Sequence, residues 1–232
     1  MRSVLMHDTV PQRSSSGGNV RATRDDWFGL ALKTLKADGV DNVRVLPMSQ
    51  VLGVPRASFY WYFESRQALL DDLLRHWRET NTRHVIVAAT RPADTITRGV
   101  LNIFENWIDQ DLFDPQLDFA IRSWAQREPA VRQIIEDADN ERVDAIRNMY
   151  LAHGYEPQDA FVRARVLYFM QIGYYALGLH EPLDQRLSYV GAYLRSFTGR
   201  EPIDAEVSTF LDFVKQRSKA RKTRAPRKDE YR

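Results

Sequence analysis

The chain has 232 residues, of which 44% are hydrophobic and 28% charged, a composition typical of a globular protein. It contains no cysteine, which excludes a disulfide framework and a thiolate metal site. No apolar run reaches the roughly 18 residues that a membrane span needs. The N-terminus has no hydrophobic signal core. We therefore expect a cytoplasmic protein with no membrane partner.

The formal net charge of +2 is unevenly distributed along the chain. Residues 1–64 carry eight Lys or Arg and six Asp or Glu, residues 65–214 carry 16 and 23, and residues 215–232 carry nine and two. An acidic middle region between a weakly basic start and a strongly basic tail is not the pattern of a protein that coats nucleic acid uniformly. We expect the acidic region to face away from any DNA or to be a partner or ligand domain.

Residues 1–22 are rich in Ser, Gly and Arg, which predicts a flexible leader. Arg13 and Arg21 could follow a DNA backbone or minor groove, although a leader without function is the simpler interpretation. A first helix is predicted up to about Asp38, capped by Thr23 or Asp25 and ended by Gly39. Two short helices are then expected near residues 46–52 and 55–62, and a long helix from about 66 to 89.

The most informative stretch is residues 48–63, MSQVLGVPRASFYWYF, which is typical of two short helices joined by a glycine turn. Ser49 is small enough for a close helix crossing, and Gly53 can take the left-handed conformation that ends a helix. Pro55 suits a first helical turn because its missing N–H is not needed there. This is the layout of a helix-turn-helix DNA reader, whose second helix enters the major groove. An ordinary helical hairpin is the alternative.

The region from Ala31 to Leu70 resembles the DNA-binding domain of the TetR family of transcriptional regulators. The similarity rests on Ala31, Gly39, the Leu52-Gly53-Val54 turn, Phe59, Tyr60, Phe63 and the run SRQALL at residues 65–70, in which Ser65 is expected to be an N-cap. The second predicted helix departs from the family, because residues 44–47, RVLP, offer no side-chain cap and place a proline in the first turn.

The resemblance implies an all-α protein with a three-helix DNA-binding domain and a larger helical domain for ligand binding and dimerisation. We divide the chain into a leader (1–22), a DNA-binding domain (23–70), a ligand and dimerisation domain (71–200), and an amphipathic helix with a basic tail (201–232). The expected partner is a palindromic double-stranded DNA operator, bound by a homodimer that acts as a repressor and is released by a small-molecule effector.

Residue chemistry suggests roles on the DNA. Arg56 and Ala57 are the candidates for base-edge contacts, because arginine pairs with guanine and alanine touches the thymine methyl. Trp61 is expected to brace the second helix. The candidates for phosphate or additional contacts are Arg44, Ser58, Tyr60, Tyr62 and Arg66.

The rest of the chain is predicted to be helical. Its most apolar segment, residues 166–179, VLYFMQIGYYALGL, lies in a helix expected over 158–179, and a further helix is expected over 184–198. A helix that is apolar all round must be buried on all sides. We therefore predict that these two helices form the homodimer interface, with the core of a monomer as the alternative.

Aromatic residues at helical spacing could line an effector cavity between helices, with Gln171 and Arg122 as polar groups. Plain core packing is the alternative for each of them. The candidates are Phe104, Trp107, Phe119, Arg122, Trp124, Tyr168, Gln171, Tyr174 and Tyr175.

Other functions are less well supported by the sequence. The five histidines are scattered, and no nucleophile elbow, phosphate-binding loop or dinucleotide motif occurs, so we expect neither catalysis nor a metal or cofactor. A helical dimeric adaptor that has lost DNA binding is the alternative to a regulator. Residues 215–228 carry eight basic and no acidic residues. They could contact DNA nonspecifically or form a solvated tail.

Overall fold

The computed structural model describes residues 21–179 and 181–224, with side chains up to residue 220. Within these residues there are eleven α-helices and no β-strand, which confirms the predicted all-α class. The predicted leader lies, except for residues 21 and 22, outside the described residues. The helices are α1 (Arg24–Asp38), α2 (Val45–Leu52), α3 (Arg66–Trp77), α4 (Arg83–Thr90), α5 (Ile96–Ile108), α6 (Pro115–Ala125), α7 (Pro129–Ala152), α8 (Pro157–Ala176), α9 (Leu183–Ser188), α10 (Val190–Thr198) and α11 (Asp204–Arg224).

Local capping sets the ends of the first helices. Thr23 and Asp26 form a reciprocal capping box at the start of α1, and Gly39 ends the helix with a φ of 80°. Ser65 caps α3, where its side chain accepts a hydrogen bond from the Ala68 backbone N–H. Helix α2 has no side-chain cap at Arg44. The sequence left Thr23 and Asp25 open as caps of α1, and the structure has Thr23. The end of α1 at Gly39, the Ser65 cap and the uncapped start of α2 agree with the predictions.

The turn after α2 depends on Gly53, which has the left-handed values φ 65° and ψ 29°. The following segment is a 3₁₀-helix, Arg56–Trp61, rather than the predicted α-helix. It is held from inside by Phe59, which is fully buried and contacts the Trp27 ring edge-on at a centroid distance of 5.2 Å. Tight 3₁₀ geometry suits so short a connection because its hydrogen bonds close after three residues.

A long helical rod runs from α3 through the π-helical segment Arg78–Thr82 into α4, close to the extent predicted from the sequence. The π segment turns both Asn81 and Thr82 into the interior, where they are at most 1% exposed. The Asn81 side chain donates to the Asp114 carbonyl at 2.8 Å and accepts from the Asp114 backbone N–H at 3.2 Å. These bonds attach the start of α6 to the rod.

Two clusters of buried apolar side chains form the interior. The N-terminal cluster includes Trp27, Phe59 and Trp77, together with residues of α6 and the first half of α7 such as Trp124. The C-terminal cluster joins α4, α5, the second half of α7, α8, α10 and α11, and contains Tyr150. The 3₁₀-helix Arg56–Trp61 therefore shares its core with helices from far along the chain.

The helices near the end of the chain differ from their predicted bounds and burial. Helix α8 ends at Ala176, and the predicted helix over 184–198 is divided into α9 and α10 at Tyr189. One face of α8 is buried, including Leu167 and Tyr168, whereas its other face, including Val166 and Phe169, is exposed. Among the described residues, no helix is long and apolar enough to cross a membrane.

Candidate nucleic-acid interface and internal cavities

Five of the predicted DNA-contacting residues face solvent around α2 and the 3₁₀-helix. Tyr60 and Trp61 are 48% and 65% exposed, far more than is usual for aromatic rings of a hydrophobic core. We call this set the reader surface: Arg44, Arg56, Ala57, Tyr60 and Trp61.

The two arginines of the reader surface are held by neutral groups. The Arg56 guanidinium lies over the Tyr60 ring, 6.0 Å from its centroid, and donates to the Tyr60 hydroxyl at 3.1 Å. Arg44 Nε donates to the Asp41 carbonyl at 2.6 Å. Neither arginine forms an ion pair within the described part of the chain. Their positive charges are therefore available to an anionic partner.

Trp61 does not have the predicted bracing role, because its ring is largely exposed. The Arg21 guanidinium lies 5.5 Å from its ring centroid, so the residue just before α1 extends over this surface. Packing beneath the 3₁₀-helix is supplied by Phe59, which stacks on Phe63 at 5.2 Å.

Ser58 is only 4% exposed, and its hydroxyl donates to the Pro55 carbonyl at 2.8 Å. Tyr62 is half-buried against the N-terminal cluster. The Ser58 hydroxyl therefore fixes the turn and is not presented to a phosphate. We leave both residues out of the reader surface.

Arg66 also has a structural role that its sequence position did not reveal. Its Nε donates to the Val43 carbonyl at 2.6 Å and its Nη2 to the Val40 carbonyl at 2.7 Å. Both carbonyls belong to the connection between α1 and α2, so this side chain joins α3 to the start of the helix-turn-helix. Two of its five N–H donors are therefore used inside the protein.

Two of the predicted effector-binding residues, Arg122 and Tyr168, belong instead to a buried group of charges. We call it the junction network: Asp118, Arg122, Asp139, Arg142 and Tyr168. Arg122 forms a bidentate pair with Asp139 at 2.7 and 2.8 Å and donates to Asp118 at 2.7 Å. The Tyr168 hydroxyl donates to Asp139 at 2.6 Å and accepts from Arg142 at 2.7 Å. These polar groups satisfy one another, so they are not available to a ligand.

The junction network connects the α3–α4 rod to α6, α7 and α8. Arg142 is fully buried and donates to the Thr82 hydroxyl at 2.8 Å, while the Trp77 indole donates to Asp118 at 2.8 Å. Burial alone would raise the pKa of Asp118, but the attraction of Arg142 and Arg122 outweighs burial and lowers the pKa below its usual value. Burial raises the pKa of Tyr168, so its hydroxyl keeps the proton it donates.

Four predicted effector-binding residues do line a common space. This inner cavity of about 70 Å³ lies between α5, α8, α9, α10 and α11. Trp107 is 5% exposed, and its indole N–H has no hydrogen-bond partner among the described residues. The predicted lining residues are Phe104, Trp107, Gln171 and Tyr174.

The three remaining candidates lie elsewhere. Phe119 is 53% exposed, and Trp124 belongs to the N-terminal cluster. Tyr175 stacks on Phe113 at 5.6 Å and donates its hydroxyl to the Trp107 carbonyl at 3.0 Å. Helical spacing made these aromatic residues equivalent in the sequence, but long-range packing separates them.

An open outer cleft of about 870 Å³ lies between α1, α6 and the end of α8. Phe119 and Tyr175 contribute to its wall, as do Lys33 and Lys36 of α1 and Arg186 of α9. The sequence reasoning did not identify these three cations. No local signal could have found them, because α1 and α9 are about 150 residues apart in the chain.

Comparison with known proteins identifies solved structures of similar fold at low sequence identity. No protein-family model and no curated protein matches the chain. Among solved structures, Mycobacterium smegmatis AmtR is 16% identical with a TM-score of 0.56, and the match covers 90% of this chain and 98% of AmtR. Salmonella enterica GusR is 12% identical with a TM-score of 0.51, over 83% of this chain and 95% of GusR.

A Rhodococcus sp. protein provisionally assigned to the TetR-family transcriptional regulators is 14% identical with a TM-score of 0.51. That match covers 83% of this chain and 97% of the other. The likeness extends over both core clusters and not just the helix-turn-helix region. The chain therefore has the two-part helical fold of solved TetR-family structures, as the resemblance of residues 31–70 implied.

Proposed function

We propose that the protein is a DNA-binding transcriptional regulator that binds a palindromic operator as a homodimer, represses transcription and is released by a small-molecule effector. The observation that carries this proposal is the reader surface. There, two exposed aromatic rings and two arginines without an ion pair among the described residues lie around α2 and the 3₁₀-helix, which are joined by the turn at Gly53. The proposal includes the division of the chain into a leader (1–22), a DNA-binding domain (23–70), a ligand and dimerisation domain (71–200), and a C-terminal helix with a basic tail (201–232).

On this proposal, Arg56 and Ala57 contact base edges, and Arg44 and Tyr60 contact phosphates. Arginine recognises guanine O6 and N7 with two hydrogen bonds, and the methyl of alanine packs on thymine. Phosphate contacts position the protein but carry little sequence information. Trp61 has the exposure needed for a further backbone contact.

The exposed face of α8 supports the dimer. Phe161, Val162, Val166 and Phe169 are between 40% and 52% exposed, and the Arg165 guanidinium lies over the Phe161 and Phe169 rings at 5.5 and 4.8 Å. An exposed apolar face of this kind is typical of a protein interface. A second copy of the chain would cover it and place two reader surfaces about one duplex turn, or a multiple of it, apart.

The dimer is tested by replacing Val166 with Glu and measuring the sedimentation coefficient. We expect Val166→Glu to shift the protein from dimer to monomer, because a buried charge without a partner is costly. Val87 on α4 is 54% exposed, similar to Val166 at 52%, so Val87→Glu is the matched control and should remain dimeric. A wild-type monomer at micromolar concentration would contradict the proposed dimer.

The decisive test of DNA binding is selection of bound duplexes from a random pool by the purified protein. We expect a palindrome whose two half-sites are related by the dimer axis. The double variant Arg56→Ala, Tyr60→Ala should recover no such sequence. If the wild type enriches no sequence even at low salt, the proposal of a DNA-binding regulator fails. The alternative function, a helical dimeric adaptor, would then be favoured.

A further inference from the structure

The inner cavity and the outer cleft meet at two side chains. Tyr174 and Arg186 line both spaces, and the Arg186 guanidinium lies over the Tyr174 ring at 4.8 Å from its centroid. These side chains are therefore the shared wall between the inner cavity and the outer cleft. A ligand that displaced this stacked pair would occupy both spaces at once.

The inner cavity favours an apolar or aromatic group. Phe104, Trp107 and Phe210 contribute rings, and Met170 and Leu187 contribute aliphatic surface. The volume of about 70 Å³ exceeds the roughly 10–15 Å³ that one water needs. Its acidic lining residue, Glu181, accepts a hydrogen bond from the Tyr174 hydroxyl at 3.2 Å. Glu181 and the shared Arg186 carry opposite charges, so the inner cavity has no excess of positive charge that would favour an anion.

The outer cleft has the opposite character. Its charged lining residues, within the part of the chain that the structure describes, are the cations Lys33, Lys36 and Arg186. Lys36 is paired with Asp114 at 3.0 Å, whereas Lys33 and Arg186 form no ion pair within the described residues. Low-dielectric walls around charges of one sign concentrate the field, so this cleft attracts anions.

We propose that the effector is an amphipathic organic anion, whose apolar or aromatic end enters the inner cavity and whose acidic group lies among Lys33, Lys36 and Arg186. The negative Glu181 and the positive cleft together fix this orientation. That the bound anion regulates DNA binding rests on the proposed function, whereas the binding of the anion itself requires no DNA.

This site also places the ligand against α1, a helix whose buried side chains belong to the N-terminal cluster. Lys33 and Lys36 lie on α1, which packs in the same core as the 3₁₀-helix, whereas Arg186 lies on α9. An anion bound between them would draw α1 toward the α8–α9 region. Ligand binding would then change the position of the reader surface through α1, in addition to any change at the dimer interface.

The test compares two probes that differ in charge, 6-phenylhexanoate and 6-phenylhexan-1-ol, titrated calorimetrically into the DNA-free full-length protein at low salt. We expect the carboxylate to bind at least about tenfold more tightly than the alcohol, as one added charge contact would give. Lys33→Gln and Arg186→Gln should each remove most of that preference, which is the ratio of the two affinities and so does not depend on any effect that a variant has on both probes alike. Lys215→Gln, an exposed lysine on α11, is the matched control and should bind like the wild type.

The apolar end is tested by filling the inner cavity. Leu187→Trp should weaken both probes at least about tenfold, and Leu183→Trp, nearer the surface, serves if the first variant does not fold. Equal affinity for the two probes, no binding of either, or a carboxylate preference that survives Lys33→Gln and Arg186→Gln would each overturn the inference. Because these titrations contain no DNA, their failure is distinguishable from a failed operator selection.

Discussion

Arginine is used in opposite ways in the reader surface and in the junction network. Arg44 and Arg56 are exposed and hydrogen-bond only to neutral oxygens. Arg122 and Arg142 bond to two carboxylates and a tyrosine hydroxyl in the interior. A charge removed from water must be neutralised by groups of the protein itself, whereas an exposed charge is stabilised by water until a partner binds. Arg122 and Arg142 therefore stabilise the fold, whereas Arg44 and Arg56 are available to an anionic partner.

The largest expected effect is in the junction network. Asp118→Asn leaves the buried Arg142 undercompensated, so we expect the free energy of unfolding to fall by about 3–5 kcal/mol at pH 7. Urea denaturation followed by circular dichroism measures it. Asp144→Asn, whose carboxylate is 3.8 Å from Arg147 at the surface, should cost less than about 1 kcal/mol.

The same variant has a defined pH dependence. The pKa of Asp118 is lowered in the folded protein, so its stabilising contribution is complete above the unfolded-state pKa and is lost as pH falls through the folded-state pKa. The stability difference between the wild type and Asp118→Asn should therefore be constant near neutral pH and shrink below about pH 4. A difference that grew on acidification would contradict the assignment.

Arg66 sharpens the comparison, because sequence similarity suggests a phosphate contact and the structure shows two internal hydrogen bonds. Arg66→Gln should lower the free energy of unfolding by about 3 kcal/mol, at about 1.5 kcal/mol for each charge-assisted bond. Chemical denaturation measures this loss. If stability is unchanged while DNA affinity falls at every sequence, Arg66 is a phosphate ligand after all.

Arg56 should behave in the reverse manner. Arg56→Ala should leave the melting temperature unchanged, since the hydrogen bond that Arg56 makes within the described residues is to the exposed Tyr60. It should reduce discrimination at one or two operator positions by about 1–3 kcal/mol. Binding to single-base operator variants measures this directly. Arg83→Ala, an exposed arginine on α4, is the control. Equal weakening on all sequences would assign Arg56 to a phosphate.

The smallest effect is expected at α11. This helix packs on α5 within the C-terminal cluster, away from the reader surface. Because of this position, replacing Lys215 and Lys219 with Gln should leave the salt dependence of DNA binding unchanged. Each phosphate contact that was lost would instead reduce the logarithmic slope by about 0.9. A reduced slope would show that α11 contacts DNA. The predicted role of the basic tail beyond residue 224 lies outside the described residues.

Local sequence determined the helices and the glycine turn. The Thr23 box, the Ser65 cap and the left-handed Gly53 each depend on a few adjacent residues, so their geometry could be predicted without knowledge of the fold. The similarity of residues 31–70 to one family also predicted the two-part helical architecture. Neither argument required contacts between distant parts of the chain.

Tertiary structure decided which residues are available for binding. The sequence predicts DNA contacts for both Arg56 and Arg66, yet Arg66 is bonded to carbonyls more than 20 residues away. Likewise, Trp107 lines a cavity, whereas Trp124 is core and Tyr168 belongs to a charge network. Helical periodicity assigns a residue to a face but does not specify what packs against that face, because the partner comes from elsewhere in the chain. Long-range packing alone therefore determined the internal cavities and the free charges.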